Sequence, residues 1–127
     1  MGDIIRVGIV GSGRIAEADH VPAYLRAECC KVTALCDIRK DRMEDLKAKF
    51  PALKDAACFV KDSDLFGSRL VDAVSICTPN DCHYPQTIAG CRAGLHVLGE
   101  KPMAGTLDQA TKMIRVARKA KVVLQIN

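Results

Sequence analysis

The chain has 127 residues, of which 49% are hydrophobic and 27% charged, and its formal net charge is +4. This length and composition predict one soluble globular domain with its own core. No apolar run is long enough to span a membrane, and the N-terminus lacks the basic and apolar regions of a secretory signal. We therefore expect a cytoplasmic protein that has no membrane partner.

Seven cysteines are present, but they form no C-x-x-C pair and their number is odd. This pattern favours reduced thiols over a disulfide framework or a zinc site, so we expect no bound metal. The positive charge does not predict nucleic-acid binding, because aromatic residues make up only 4% of the chain and leave few surfaces on which bases could stack. The basic cluster between Lys112 and Lys121 is interpreted as the solvated face of a helix.

The first predicted element is a buried strand over the apolar run Ile4–Val10, which ends at a glycine turn. A helix is predicted from Arg14 towards Ala27, with an interruption near its proline. Strand, G-x-G turn and helix follow in the order that a dinucleotide-binding site requires. Gly11 permits the sharp turn, and Gly13 lacks the Cβ that would keep a pyrophosphate away from the backbone. The start of the helix offers N–H donors to that anion.

The second predicted strand, Lys31–Cys36, is followed by Asp37, which lies 24 residues beyond Gly13. A carboxylate at this position accepts hydrogen bonds from the adenosine ribose hydroxyls and repels a 2′-phosphate, which favours NAD over NADP. A plain turn or helix cap is the alternative role for Asp37. Because Arg39 and Lys40 follow closely and could accommodate a phosphate, NADP stays open as a cofactor.

Helical and strand patterns alternate through the rest of the chain. Asp41 with Glu44, and Thr106 with Gln109, have the spacing of helix-capping pairs, and Asn80 is suited to an N-cap. The predicted elements after Asp37 are a helix through Phe50, a strand at Ala57–Val60, a turn at Asp62–Phe66, a strand at Val71–Cys77, a helix from Asn80 to Ala93 closed by Gly94, a strand at Leu95–Leu98, a helix opening at Thr106, and a strand at Lys121–Ile126.

This alternation predicts an α/β fold of the Rossmann type, a doubly wound parallel sheet of about six strands with right-handed crossovers. The expected strand order is 3-2-1-4-5-6, with the ligand over the carboxyl ends of the strands where the order reverses. Residues that follow the strands should then carry the chemistry, namely Gly11–Ile15, Asp37, Thr78–His83 and Glu100–Pro102.

The three histidines receive different interpretations. His83 lies in the first turn of a predicted helix, near the cleft, and is a candidate for contact with cofactor or substrate and for a part in catalysis. His96 lies inside an apolar strand and is expected to be a core residue whose hydrogen bonds are satisfied. His20 either approaches the cleft or fills an interior gap.

Glu100, Lys101 and Pro102 directly follow the fifth predicted strand. Glu100 and Lys101 could form only a solvated ion pair. However, Pro102 keeps Lys101 out of the helical region and fixes its direction at the carboxyl end of a strand. A lysine there could bind a substrate oxygen and move its proton while hydride leaves the adjacent carbon.

The segments Val7–Ala16, Cys77–His83 and Ala93–Pro102, together with Asp37, resemble the Gfo/Idh/MocA family of glucose–fructose oxidoreductases and inositol dehydrogenases. The combination of T-P-N-x-x-H with A-G-x-H-V-x-x-E-K-P is specific, and the resemblance covers essentially the whole chain. It implies a nucleotide-binding domain of an enzyme that uses NAD or NADP to oxidise or reduce a carbon of a sugar, cyclitol or related polyol.

The resemblance also implies roles for individual residues. Lys101 would be the lysine of the catalytic site, framed by Glu100 and Pro102. The cofactor-binding residues it implies are Gly11, Gly13, Arg14 and Ile15 at the pyrophosphate, Asp37 at the adenosine ribose, and Thr78, Pro79, Asn80 and His83 between the adenosine and the nicotinamide ribose. Glu100 and Lys101 are also expected to contact the cofactor.

The family's second domain, which faces the substrate and forms the dimer sheet, is absent from residues 1–127. We therefore expect this chain alone to bind cofactor without efficient turnover, and to meet a polyol or sugar only if a second domain is supplied. A stand-alone NAD(P)-binding sensor or scaffold module is the alternative function. The oligomeric state is left open, with self-association as a homo-oligomer through exposed apolar surface as one outcome.

Overall fold

The computed structural model describes residues 2–127 and contains a six-stranded parallel sheet flanked by helices on both faces. The strands are β1 (Ile5–Val10), β2 (Cys30–Cys36), β3 (Ala57–Phe59), β4 (Ala73–Ile76), β5 (His96–Gly99) and β6 (Leu124–Ile126). The helices are α1 (Val21–Arg26), α2 (Lys40–Lys49), α3 (Asp62–Phe66), α4 (Asn80–Arg92) and α5 (Leu107–Ala120), with a π-helical segment at Ala16–His20 and a 3-10 turn at Pro51–Leu53.

The strand order is β3-β2-β1-β4-β5-β6, which confirms the predicted doubly wound topology. All five strand pairs are parallel, and their registers bring the carboxyl ends to one edge of the sheet. Val10 pairs with Cys36 on one side and with Ile76 on the other. The order reverses between β1 and β4, so a crevice opens there above the carboxyl ends.

Side chains of the strands alternate between two apolar cores, one on each face of the sheet. Val7 and Ile9 of β1 belong to the core that includes Met43 and Leu46 of α2. Val10 belongs to the opposite core, with α3, α4 and α5. Burial on both faces explains why these strands read as continuous apolar runs rather than as alternating ones.

The predicted first helix contains a π-helical segment before its proline. The backbone N–H of Val21 donates to the carbonyl of Ala16, five residues earlier, and this defines the π-helical segment. Pro22 is the second residue of α1, so the helix continues through the proline to Arg26.

Two of the three predicted capping arrangements are wrong. Asp41 lies inside α2 and pairs with Arg39 instead of capping the helix. Asn80 is the first residue of α4, which begins without a side-chain cap. Thr106 does cap α5 by accepting from the N–H of Gln109 at 3.2 Å.

His96 is exposed, so its predicted place in the core is wrong. It begins β5 at the edge of the sheet opposite the crevice, and its Nδ1 accepts from the N–H of Val123 at 2.9 Å. Gly94, by contrast, closes α4 with a φ of +81°, as predicted.

Candidate functional site

A cavity of about 510 Å³ lies over the carboxyl ends of β1, β2 and β4. It brings together five of the residues that the sequence nominates for cofactor binding, namely Gly11, Gly13, Asp37, Thr78 and Pro79. Their meeting follows from the parallel registers, because the residue after each of these strands lies at the same edge of the sheet. The cavity therefore occupies the place at which a doubly wound sheet binds its ligand.

Gly11 is the residue at which β1 comes closest to the end of β4. Its φ is +90°, and a Cβ built on it would lie 2.8 Å from the backbone carbon and oxygen of Cys77. Only glycine fits both the conformation and the space. The N–H of Gly11 donates to the carbonyl of Cys36, so the turn is also tied to β2.

Gly13 differs from Gly11 because it faces open space. A Cβ at Gly13 would approach only the tip of Arg42, whose Nη1 would lie 3.4 Å away. Gly13 lines the cavity, so this space is available to a ligand.

The turn also leaves backbone donors free. The N–H groups of Gly11 and Ser12 are already bonded to Cys36 and Asp37. Across residues 2–127, those of the next three residues, Gly13–Ile15, donate to no loop or side-chain acceptor. Donors at the start of a helix are suited to an anion such as a pyrophosphate.

Asp37 is buried at the end of β2 and holds the loops on either side of it. One carboxylate oxygen accepts from the N–H of Ser12 and the other from the N–H of Arg39, both at 2.9 Å. Asp37 also lines the cavity. Because each carboxylate oxygen can accept more than one hydrogen bond, loop anchoring leaves acceptor capacity for ribose hydroxyls.

The cations near Asp37 are arranged differently from the sequence-based expectation. Arg39 is exposed and pairs with Asp41 at 2.5 Å. Within the part of the chain that the structure describes, the cations that line the cavity are Arg42 and Lys61. Arg42 lies in the first turn of α2, a position that strand patterns alone did not single out.

Sequence reasoning also missed the contribution of the third strand. Asp62, which follows β3, accepts from Nε2 of Gln86 at 3.0 Å, and the Thr78 hydroxyl donates to Oε1 of Gln86 at 2.5 Å. This chain of hydrogen bonds closes one wall of the cavity. The available signal was that β3 ends at the same sheet edge as the other strands.

Two buried thiols, Cys36 and Cys77, lie at the floor of the cavity. Burial raises the pKa of the Cys36 thiol to about 12 and raises that of Cys77 as well. Both are therefore neutral near pH 7 and act as small apolar groups rather than as nucleophiles.

The other nominated residues lie outside this cavity. Arg14 and Ile15 form the start of the first helix, and Asn80 begins α4 on the surface. Lys101 is exposed after the end of β5.

His83 is only 2% exposed, and both of its ring nitrogens contact backbone carbonyl oxygens. Nδ1 lies 2.8 Å from the oxygen of Pro102 and Nε2 lies 2.8 Å from that of Thr78. The catalytic role predicted for His83 stays a prediction. In this conformation its two ring nitrogens lie against backbone carbonyl oxygens.

Glu100 is also buried, so the alternative of a solvated ion pair with Lys101 is wrong. Its Oε1 accepts from Nε2 of His20 at 2.5 Å and from Nδ2 of Asn127 at 2.8 Å. Although burial opposes ionisation, the hydrogen bonds from Asn127 and His20 hold the pKa of the Glu100 carboxyl below its usual value. His20 thus fills an interior position, as one of its two interpretations held.

Two further observations concern membranes and metals. No helix within residues 2–127 has the length and apolar character needed to cross a bilayer. The same residues include no cluster of three histidine, cysteine or acidic side chains placed to hold a metal ion.

A glycine turn with free helix donors, a carboxylate after the second strand and a cavity at the reversal of a parallel sheet together define a Rossmann dinucleotide-binding domain. The chain belongs to the Gfo/Idh/MocA family, whose model is described as an oxidoreductase family with an NAD-binding Rossmann fold and matches residues 5–127. Its cofactor is therefore NAD(P).

Named relatives of known activity match nearly the whole chain. It is 34% identical to D-glucoside 3-dehydrogenase of Escherichia coli over 94% of its length. It is 32% identical to myo-inositol 2-dehydrogenase of Thermotoga maritima, again over 94%. The chain spans 33% and 35% of these two relatives.

Solved structures also match nearly the whole chain. The WlbA dehydrogenase from Bordetella pertussis, in complex with NADH and UDP-GlcNAcA, matches with a TM-score of 0.89 and 29% identity. KijD10, a 3-ketoreductase from Actinomadura kijaniata in complex with NADP and TDP-benzene, matches with a TM-score of 0.90 and 31% identity. Each match covers 98% of this chain, and 35% and 37% of the respective neighbour.

Proposed function

We propose that this chain provides the cofactor-binding part of a cytoplasmic dehydrogenase that transfers hydride to or from a carbon of a sugar, cyclitol or related polyol. The observation that carries the cofactor site is the group of N–H donors at Gly13–Ile15 beside the cavity, which donate to no loop or side-chain acceptor among residues 2–127. The substrate class is supported by relatives named as glucoside and inositol dehydrogenases.

In this proposal the cofactor lies across the carboxyl ends of the strands. Its pyrophosphate lies against Gly11, Gly13, Arg14 and Ile15, and Thr78, Pro79, Asn80 and His83 border its course towards the nicotinamide. Glu100 and Lys101 border the nicotinamide end. This order follows the order of strand ends along the sheet edge.

Asp37 makes NAD the preferred cofactor. Its carboxylate is buried at the cavity wall, where a 2′-phosphate would meet a negative charge and ribose hydroxyls would meet an acceptor. Arg42 and Lys61 line the same cavity and would offset part of that repulsion, so NADP binds more weakly but measurably.

Lys101 supplies the proton chemistry. The bound nicotinamide would exchange a hydride with the substrate carbon, and the Lys101 amine would hold or move the proton at the substrate oxygen. We propose that residues 1–127 alone do not position a substrate, so efficient turnover requires further substrate-binding groups.

Calorimetric titration of the folded 127-residue chain tests the cofactor site. We expect saturable binding of NAD and weaker binding of NADP, with no NADH formed when myo-inositol is added. Failure of the folded chain to bind either dinucleotide would overturn the proposal. In a protein of the relatives' length, Lys101→Met should reduce kcat far more than it changes the affinity for NAD, whereas unchanged turnover would remove Lys101 from its role.

A further inference from the structure

Lys101 lies in the loop between β5 and α5, so the direction of its side chain depends on the residues on its two sides. Glu100 precedes it and Pro102 follows it, and each is bonded to a buried histidine. We propose that His20 and His83 are positioning residues that hold the backbone of Lys101 from both sides. The inference rests on the proposed role of Lys101 in the reaction.

On the preceding side, Glu100 anchors the loop to the interior. Its N–H donates to the carbonyl of Ile76, which extends the pairing of β4 with β5 by one residue. Its carboxylate turns inward and accepts from His20 at 2.5 Å and from Asn127 at 2.8 Å. His20 and Glu100 are 4% and 7% exposed, so water competes little for this bond.

The histidine that contacts Glu100 lies in the π-helical segment of the first helix. His20 is the last residue of that segment, Ala16–His20. The extra residue in a π turn shifts the positions that follow it around the helix axis, and such turns are frequent at functional sites. The same helix begins at the glycine turn, so one rigid element joins the proposed pyrophosphate site to the anchor of Lys101.

On the following side, His83 ties the loop to the end of β4. Its Nδ1 contacts the carbonyl of Pro102 and its Nε2 that of Thr78, both at 2.8 Å. The ring thus links the turn after β5 to the turn after β4, which the proposed cofactor also crosses. It makes one N–H bond to these carbonyls when neutral and two when protonated.

In this conformation Nε2 of His20 and both ring nitrogens of His83 lie against oxygen atoms of the protein. The effect of the two histidines on the reaction would come through the placement of Lys101. Small errors in placement matter, since a shift of about 1 Å at a reacting group can cost roughly 100-fold in rate.

The test measures backbone order at Lys101 by ¹⁵N relaxation in the cofactor-free 127-residue chain. His20→Leu removes the donor to Glu100, and His20→Gln retains an N–H donor at a similar reach. In His83→Gln the amide nitrogen takes the place of Nε2, so the contact with Thr78 is kept and that with Pro102 is lost. In His83→Asn the amide nitrogen takes the place of Nδ1, so the contact with Pro102 is kept and that with Thr78 is lost. The two His83 variants are therefore matched controls for each other.

We expect the order parameter at Lys101 to fall from about 0.85 towards 0.6 in His20→Leu and in His83→Gln. His20→Gln and His83→Asn should restore it, and the order of Val7 and Val74 in the core strands should not change in any variant. If His20→Leu or His83→Gln fails to fold, the two variants of the other histidine still decide the result. Order at Lys101 that is unchanged in folded His20→Leu and His83→Gln, or lost equally in all four variants, would overturn the proposal.

Titration of the same samples with NAD keeps the two proposals apart. Absence of NAD binding by the wild-type chain would refute the cofactor site, whereas the relaxation data test the two histidines without any cofactor.

Discussion

Two glycines of one turn should respond in opposite ways to the same added methyl group. At Gly13, alanine would place its Cβ in the cavity, where the nearest atom is Nη1 of Arg42 at 3.4 Å. Because a flexible side chain can move by the small amount required, we expect Gly13→Ala to change the free energy of unfolding by less than about 1 kcal/mol. The methyl group would occupy space that the pyrophosphate needs, so the affinity for NAD should fall at least about tenfold, or roughly 1.4 kcal/mol.

Gly11→Ala is the control. The left-handed backbone costs a non-glycine residue about 1–2 kcal/mol, and at a φ of +90° the Cβ would also lie 2.8 Å from the Cys77 backbone. Backbone cannot yield as a side chain does, so we expect a total loss of about 3 kcal/mol. For a domain of this size, that loss lowers the Tm by roughly 10 °C.

Thermal unfolding and calorimetric titration of both variants separate the two effects. Gly13→Ala should have the wild-type Tm and a lower affinity for NAD, whereas Gly11→Ala should have a lower Tm. Wild-type NAD affinity in Gly13→Ala would show that no phosphate approaches this turn. A large loss of Tm in Gly13→Ala would refute the description of its surroundings as open.

Three further predictions concern Asp37, Cys82 and Glu100. Asp37→Ala should reduce the affinity for NAD more than that for NADP, and an unchanged ratio of the two dissociation constants would contradict the ribose role. Cys82 lines the cavity, so saturating NAD should slow its alkylation by iodoacetamide, as read by mass spectrometry, and leave the exposed Cys29 and Cys58 unaffected; equal rates with and without NAD would place the cofactor elsewhere. Because the pKa of Glu100 is lowered in the folded state, its carboxylate stabilises the fold above the ordinary pKa of 4.5, and this stabilisation is lost as the pH falls through the folded-state pKa. The free energy of unfolding in urea should therefore depend less on pH in Glu100→Gln than in the wild type across that range. Identical pH dependence in the two proteins would contradict the assignment.

The topology could be predicted because it depends on patterns that are local in the sequence. Each buried strand reads as an apolar run, and Gly11 and Gly94 mark turns that require a positive φ. The strand order then follows from the handedness and length of the crossovers. Asp37 and Thr78 were placed correctly in the cavity for the same reason, since they directly follow strands.

The sequence patterns failed where a residue has a choice of partners in space. Asp41 has the spacing of a helix cap but pairs with Arg39, two residues earlier. His96 lies between apolar residues, but its position at the start of β5 leaves it exposed. The bond between His20 and Glu100 joins residues 80 positions apart, so no local sequence pattern predicts it.

The hydrogen bonds of Asp37 hold the walls of the cleft in place without any cofactor. Its carboxylate fixes Ser12 and Arg39, so the glycine turn and the loop after β2 are already held in place. A loop ordered in advance does not lose that conformational freedom on binding, and more of the contact energy is expressed as affinity. The N–H groups that hold this arrangement belong to Gly11 and Ser12, whereas those of Gly13–Ile15 are left for the ligand. In the proposed binding mode the turn therefore divides its donors between folding and binding, just as Gly11 is required by the backbone conformation and Gly13 by the space beside the cavity.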